Sequence, residues 1–380
     1  MANWKVSWAY AKRPFAHRMP RLSVEDHKQT ITVQNNISGD RVRLMLSNAG
    51  NPTSVDFADF TITTMNLGKE FKITVNGDPL IHLEACEEIF SDEISLPAQA
   101  GTPFIIKTRV NGLTAVNDTV RHNCPDDCLV QREGNLKYPL IGRKALKQMY
   151  GMPDCMWLYG FRAIQVYSED SPRTVAAFGD SITHMAYWTG ELSGRLRMCY
   201  PKKASLINVG IGGNRLLRDS SQYSIVKGLF GEAGITRFEK SVFEFGPVDS
   251  VIMLEGVNDL CHPVELKRLN ELPTHEELIA GLAKLAEIAH KHHTKAFSCT
   301  ILPFGGHKAW SEKLDSIRMN VNSWICTNDV FDGFFDFAAM VADPNDAARM
   351  DKRYDSGDHL HPNAEGGSKM AEGIDIEALM

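Results

Sequence analysis

The feature that most constrains the fold is a change of hydrophobic period near residue 171. Before that point apolar and polar residues alternate in short runs, QTITVQN, RVRLMLSN, FTITTMN and FKITVNGD, parted by turn-prone ISGD and AGNP. Period two with β-branched enrichment is the pattern of strands that bury one face. SLPAQAGTPFIIKTRVNG and FRAIQVYSED continue it, so residues 1–171 are expected to form a β-rich, sandwich-like antiparallel domain. The stretch 123–153 breaks the alternation and reads as irregular, with one helix expected near RKALKQMYG.

After Ser171-Pro172 the pattern becomes α/β. TVAAFG, ASLINVG, SVIMLEG, KAFSCTIL and VFDGFFDF are nearly continuous apolar runs, as parallel strands covered on both faces require. Helix-length amphipathic segments separate them. The clearest is THEELIAGLAKLAEIAHKHH, which opens on Thr274 as a cap with Glu277 three residues on. Residues 172–380 are therefore expected to hold a five-stranded parallel sheet in a three-layer sandwich. Ligands of such sheets sit at the carboxyl ends of the strands, so the residues after each run carry the function.

Bulk properties remove several function classes. A formal net charge of -6 gives no electrostatic footprint for nucleic acid or an anionic membrane surface. No run approaches the roughly 18 apolar residues of a membrane span, and MANWKVSWAYAKRPFAHRM lacks the apolar core of a secretory signal. A cytoplasmic location is the expectation. The eight cysteines are scattered, several in apolar runs, as reduced core residues would be. Cys124 and Cys128 form a close pair, but no second Cys or His pair at ligand spacing joins them, so no metal is expected.

Two strand ends and the approach to the last helix carry chemistry-bearing residues. The first apolar run ends in Gly179-Asp180-Ser181-Ile182-Thr183, the third in Gly256-Val257-Asn258-Asp259, and the last helix follows Asp358-His359-Leu360-His361-Pro362. A Gly-Asp-Ser triplet alone arises by chance in about one chain in ten, and its plain reading is a helix cap. All three blocks in this order arise by chance in roughly fewer than one in a hundred. Ser181 at a strand-to-helix turn would expose its hydroxyl beside free backbone N–H groups. A hydroxyl needs a base to become a nucleophile; His361 can take its proton, and Asp358 can hold the imidazole in the correct tautomer. Asn258 offers a side-chain N–H, and Gly213 in NVGIGGNR a backbone N–H, to a tetrahedral oxyanion. The set performs acyl transfer with neither metal nor organic cofactor.

GDSIT, GIGGNR, EGVND and DHLHPN resemble the four blocks of the SGNH hydrolases, also called GDSL-type esterases, over residues 172–380. The resemblance implies Ser181 as nucleophile and first oxyanion donor, Gly213 as second donor, Asn258 as third, and Asp358 and His361 as acid and base of the triad. The first half is similar to the β-rich module of one branch of that family, through WKVSWAYA, LSN and LPAQAGTPF. That branch includes esterases of acylated carbohydrates, which implies a short acyl ester, acetyl above all, on a sugar or oligosaccharide. Many relatives follow the threonine with Asp-Gly, whereas here His184-Met185-Ala186-Tyr187-Trp188 stands there. The loop beside the nucleophile must therefore differ. Asp180, His184, Tyr187 and Arg215 are candidate substrate contacts.

Other residues have a plainer alternative. His184 and His262 are equally read as structural histidines, and Tyr187, Trp188 and Trp310 as core aromatics. His290, His292 and His293 read better as cations at a helix C-terminus than as a metal cluster. His359 competes with His361 as base, but adjacency to Asp358 turns it away. GIGGNR lacks the third glycine of a dinucleotide fingerprint, and no G-x-S-x-G elbow occurs. A lipase or thioesterase acting on lipid or acyl-CoA shares the triad, and a non-enzymatic carbohydrate-binding protein is the rival from another class; the complete triad and donor set argue against the latter.

Overall fold

The alternating runs become antiparallel sheets. The computed structural model describes residues 3–11, 22–116, 120–138, 156–220 and 230–380. Four strands pair in the order Asn3–Ala9, Gly160–Ser168, Arg41–Ser47 and Glu88–Phe90. Five more pair in the order Cys128–Lys137, Ser23–Val33, Phe104–Ala115, Asp59–Thr64 and Phe71–Lys72. Register follows the pleat: Ile31 lies opposite Ile106 on one neighbour and Val130 on the other. All three are buried. Each such side chain removed from water contributes roughly 1.5–3 kcal/mol.

Two details depart from the expectation. FKITVNGD is a strand only at Phe71–Lys72, because its second half closes a turn in which Val75 and Asp78 exchange backbone hydrogen bonds. Inside the stretch read as irregular, Cys128–Lys137 is a ten-residue edge strand along Ser23–Val33, interrupted by a register shift between Glu133 and Asn135. The helix expected near RKALKQMYG lies outside the described residues.

The second half forms a five-stranded sheet in the order Ala204–Asn208, Arg173–Gly179, Ser250–Leu254, Lys295–Cys299 and Gly333–Phe335. Every residue of Ser250–Leu254 is buried, as the apolar runs require. The order reverses beside Arg173–Gly179, and the crevice at such a reversal is where open α/β sheets bind ligands. The expected helix runs His275–Lys291 and has both halves of the capping box between Thr274 and Glu277. By compactness, one unit takes the residues up to Thr174 together with Ser193–Ile207, and the other takes Val175–Leu192 and most of the chain beyond Asn208. Within the first unit, Val6 accepts from Ser205 Oγ at 2.7 Å and Asn36 Nδ2 donates to the Ala204 carbonyl at 2.6 Å. Among the described residues no helix is long and apolar enough to cross a membrane.

Candidate active site

Strand Arg173–Gly179 stops where its chain must turn sharply. A Cβ on Gly179 would lie 2.3 Å from Thr183 Oγ1 and 2.6 Å from the Leu254 carbonyl oxygen, so only glycine fits. Asp180 then caps the short helix Ser181–His184, its carboxylate accepting from the Ile182 N–H at 2.9 Å. This turn lifts Ser181 out of the sheet. Its Oγ stands 2.7 Å from His361 Nε2, across 180 residues of sequence.

His361 is fixed from its other edge, with Nδ1 2.6 Å from Asp358 Oδ2. The second oxygen of Asp358 accepts from the backbone N–H groups of Leu360 at 2.9 Å and His361 at 2.8 Å, and from Ser356 Oγ at 3.0 Å. Burial works to raise this carboxyl, but the hydrogen bond and charge of His361, joined by the two backbone donors, hold it well below the usual range. An ionised Asp358 places the proton of His361 on Nδ1 and leaves Nε2 to face the serine. His359 is held separately, with Nδ1 2.6 Å from Asp355 Oδ2.

The three donors expected at the oxyanion differ in their surroundings. The backbone N–H groups of Ser181 and Gly213 have no hydrogen-bond partner among the described residues. Gly213 has φ +78°, and a Cβ there would meet the Phe230 ring at 2.2 Å. Asn258 is buried, with Nδ2 donating to the Asn214 carbonyl at 3.0 Å and to Asp180 Oδ2 at 3.3 Å. The longer of these is the weaker.

Three of the four candidate substrate contacts are buried and engaged by protein partners. Asp180 is 1% exposed and already engaged by Ile182 and Asn258; burial raises its carboxyl to about 6, against the Ile182 N–H. His184 is buried because the glycine turn needs an acceptor, and its Nδ1 takes the Gly212 N–H at 3.1 Å. Arg215 is 2% exposed, with Nη1 2.9 Å from Glu271 Oε2 and Nη2 donating to the Asp219 carbonyl at 3.0 Å. These three shape the loops around the site. Tyr187 is half-buried at the start of helix Tyr187–Cys199, and a Cβ on Gly367 would lie 2.4 Å from Tyr187 Cβ. Trp188 is core, packed edge-on to Phe337.

The remaining histidines also find places. His262 is buried against Phe230, and burial lowers it to about 4. His290 and His292 pair with different carboxylates, Asp332 at 2.9 Å and Glu239 at 2.7 Å. Asp259 receives the N–H groups of Leu216 at 2.7 Å and Leu217 at 3.0 Å, and so ties the EGVND block to the chain beyond Gly213. Burial raises that carboxyl to about 6.

Residues 177–368 match the GDSL-like lipase/acylhydrolase family. The chain belongs to this family. It is a carboxylic ester hydrolase, and the site just described lies at the strand ends of its hydrolase domain. No curated protein matches the chain. Among solved structures, a GDSL-like lipase from Bacteroides thetaiotaomicron is 18% identical over 54% of this chain and 87% of its own, with a TM-score of 0.38. A variant of an acetyl xylan esterase from Geobacillus stearothermophilus is 18% identical over 55% of this chain and 95% of its own, with a TM-score of 0.42. The family assignment rests on the domain match.

Three groups in the site were not anticipated from the sequence. Glu255 and Arg237 are buried together under the strand ends, 3.4 Å apart. Their signals were a glutamate closing the apolar run SVIML and an arginine beside Phe238 on the apolar face of helix Gly234–Phe243. His307 stands close enough to the triad for the charges of Asp358 and His361 to act on it, though burial, which lowers it, is the larger influence.

Proposed function

We propose that this protein hydrolyses short acyl esters, acetyl above all, on a sugar or oligosaccharide, through a covalent intermediate on Ser181. The observation that carries the covalent route is the pair of contacts at His361, 2.7 Å to Ser181 Oγ on one edge and 2.6 Å to Asp358 Oδ2 on the other.

Ser181 Oγ attacks the ester carbonyl carbon while His361 Nε2 takes the hydroxyl proton. Asp358 stabilises the imidazolium and stays ionised. The negative oxygen of the tetrahedral intermediate accepts from the N–H groups of Ser181 and Gly213 and from Asn258 Nδ2, which exchanges its long contact with Asp180 for the stronger anionic acceptor. His361 returns the proton to the leaving alcohol as the C–O bond breaks, giving the acyl-serine. Water then attacks with the same base, and the carboxylic acid departs.

The substrate class rests on the similarity of the first half to the β-rich module of carbohydrate esterases, and the triad itself does not select it. A panel of nitrophenyl esters from acetate to palmitate, run beside acetylated xylo-oligosaccharides and an acyl-CoA, tests it. The highest kcat/KM is expected for acetate, with acetate released from the oligosaccharides. A preference for acyl chains of eight carbons or more, or no acetate released from any sugar, contradicts the carbohydrate reading.

A further inference from the structure

Arg237 is 5% exposed, and the acyl-transfer steps above give it no part. Its guanidinium spans three separate chain segments. Nε donates to Asn214 Oδ1 at 2.7 Å, Nη1 to the Val209 carbonyl at 2.8 Å, and Nη2 to the Gly179 carbonyl at 2.9 Å. Nη2 also lies 3.4 Å from Glu255 Oε1, and the guanidinium carbon sits 4.0 Å over the Phe178 ring.

Every acceptor in that set borders an oxyanion donor. Gly179 closely precedes Ser181; Val209 and Asn214 stand on either side of Gly213; Glu255 closely precedes Asn258. Asn214 extends the relation, because its carbonyl receives the Asn258 amide at 3.0 Å and its own amide donates to the Phe230 and Glu232 carbonyls at 2.7 and 2.8 Å. The helix Gly234–Phe243 thus sends one planar, rigid group across the roots of all three donors.

A cation held only for stability would be a poor choice here. Burial of a charge is costly, and apolar side chains of similar volume often replace buried ion pairs without loss. A guanidinium is different in having five donors in a fixed plane, which can bind several carbonyl oxygens at set separations; an ammonium or a hydrocarbon cannot. Burial lowers Arg237 to about 10, which leaves it charged at neutral pH beside the buried Glu255 and Asp180 carboxyls. Among the described residues Glu255 Oε2 has no hydrogen-bond partner, and Oε1 meets the cluster through the guanidinium.

We propose that Arg237 is a positioning residue of the oxyanion hole, fixing the separations of the Ser181, Gly213 and Asn258 donors, with Glu255 setting the orientation of its guanidinium. This rests on the oxyanion assignment proposed above. Preorganised donors stabilise a transition state only where they are held in advance, and a displacement of about 1 Å can cost roughly a hundredfold.

The test uses the full chain, with Arg237→Lys, Glu255→Gln and Ser181→Ala compared by kcat, KM, affinity for a boronic acid that forms a tetrahedral adduct, and thermal unfolding. Arg237→Lys is expected to lower kcat roughly 10- to 100-fold with KM nearly unchanged, and to weaken the boronate by a similar factor, because the adduct needs the donors and the ground state does not. Glu255→Gln should lower both several-fold in parallel. A folded Arg237→Lys that loses melting temperature but keeps kcat and boronate affinity overturns the proposal. Where the lysine variant does not fold, unchanged values in Glu255→Gln overturn it instead. An inactive Ser181→Ala beside a fully active Arg237→Lys refutes only the positioning role, whereas an active Ser181→Ala overturns the covalent route and this proposal together.

Discussion

The two compact units fasten their loops with different chemistry. In the β-rich unit, Asn48 Nδ2 donates to the carbonyls of Thr53, Leu83 and Glu84, and Asn51 Nδ2 to that of Ala115. These amides are buried and neutral, so holding a loop costs little beyond satisfying its backbone. In the hydrolase unit the amide of Asn214 does the same for Phe230 and Glu232, and buried ionisable groups join it. Asp180 caps the helix Ser181–His184, Asp259 gathers the chain after Gly213, and Arg237 and Glu255 lie beneath. Charges in a low-dielectric interior are expensive, and burial accordingly raises the Asp180, Glu255 and Asp259 carboxyls. Buried ion pairs occur in both units, Arg162 with Glu88 and Asp127 with Arg197 in the first, but in the second they gather around the candidate site.

Substitutions in the second unit should therefore act on turnover, and those in the first on unfolding. The largest effect is expected for His361→Ala, which leaves Ser181 without a base; kcat should fall by about four orders of magnitude or more with the melting temperature little changed. Comparable activity in that variant would point to another base, with His359, held by Asp355, the first to substitute. Next comes Asn258→Ala, which removes one proposed oxyanion donor and should lower kcat about 10²- to 10³-fold. A loss confined to KM would assign Asn258 to ground-state binding.

Asp180→Asn sharpens the contrast through pH. Burial raises the Asp180 carboxyl to about 6, so the folded chain binds its proton more tightly than the unfolded chain does. The stability this gives is present below the ordinary carboxyl range, near 4, and is lost as pH rises through about 6. Asparagine keeps a capping oxygen for the Ile182 N–H and has no charge to bury. Its melting temperature should gain on the wild type as pH rises from about 4 to 7 and stay level above. A gap that is constant across that range would mean that Asp180 does not titrate there.

The smallest effect on catalysis belongs to Asn48→Ala in the other unit. Three carbonyls lose a buried donor, so unfolding should become easier by about 1–3 kcal/mol while kcat stays within roughly twofold. A loss of turnover without a loss of stability would erase the distinction between the units.

Hydrophobic period made the sheets legible. Four of the five parallel strands stand inside the apolar runs and the fifth starts one residue ahead, at Arg173, because strands buried on both faces leave little room for polar residues. The edge strand Cys128–Lys137 was not legible: with one side unpaired it tolerates CLVQREGNLK, and the register shift between Glu133 and Asn135 throws its alternation out of phase. At the site, the spacing of motif blocks gave Ser181, His361 and Asp358, which the fold brings into hydrogen-bond contact. Asp180, His184 and Arg215 stood as candidate substrate contacts, His184 equally as a structural histidine, because proximity in sequence carries no information on burial. Each proved to serve a nearby backbone group or a buried partner. Arg237 signalled its burial from the apolar face of a helix, but its role was not legible, because its acceptors are carbonyls and side chains from three separate segments, which only the fold assembles.

The most direct test of the central claim is to treat the full chain with a serine-reactive fluorophosphonate and map the modified peptide by mass spectrometry. The account predicts one adduct, on Ser181, formed with parallel loss of esterase activity and greatly slowed in His361→Ala. An adduct on another residue that tracks the loss of activity, or complete inactivation with Ser181 unmodified, would contradict it.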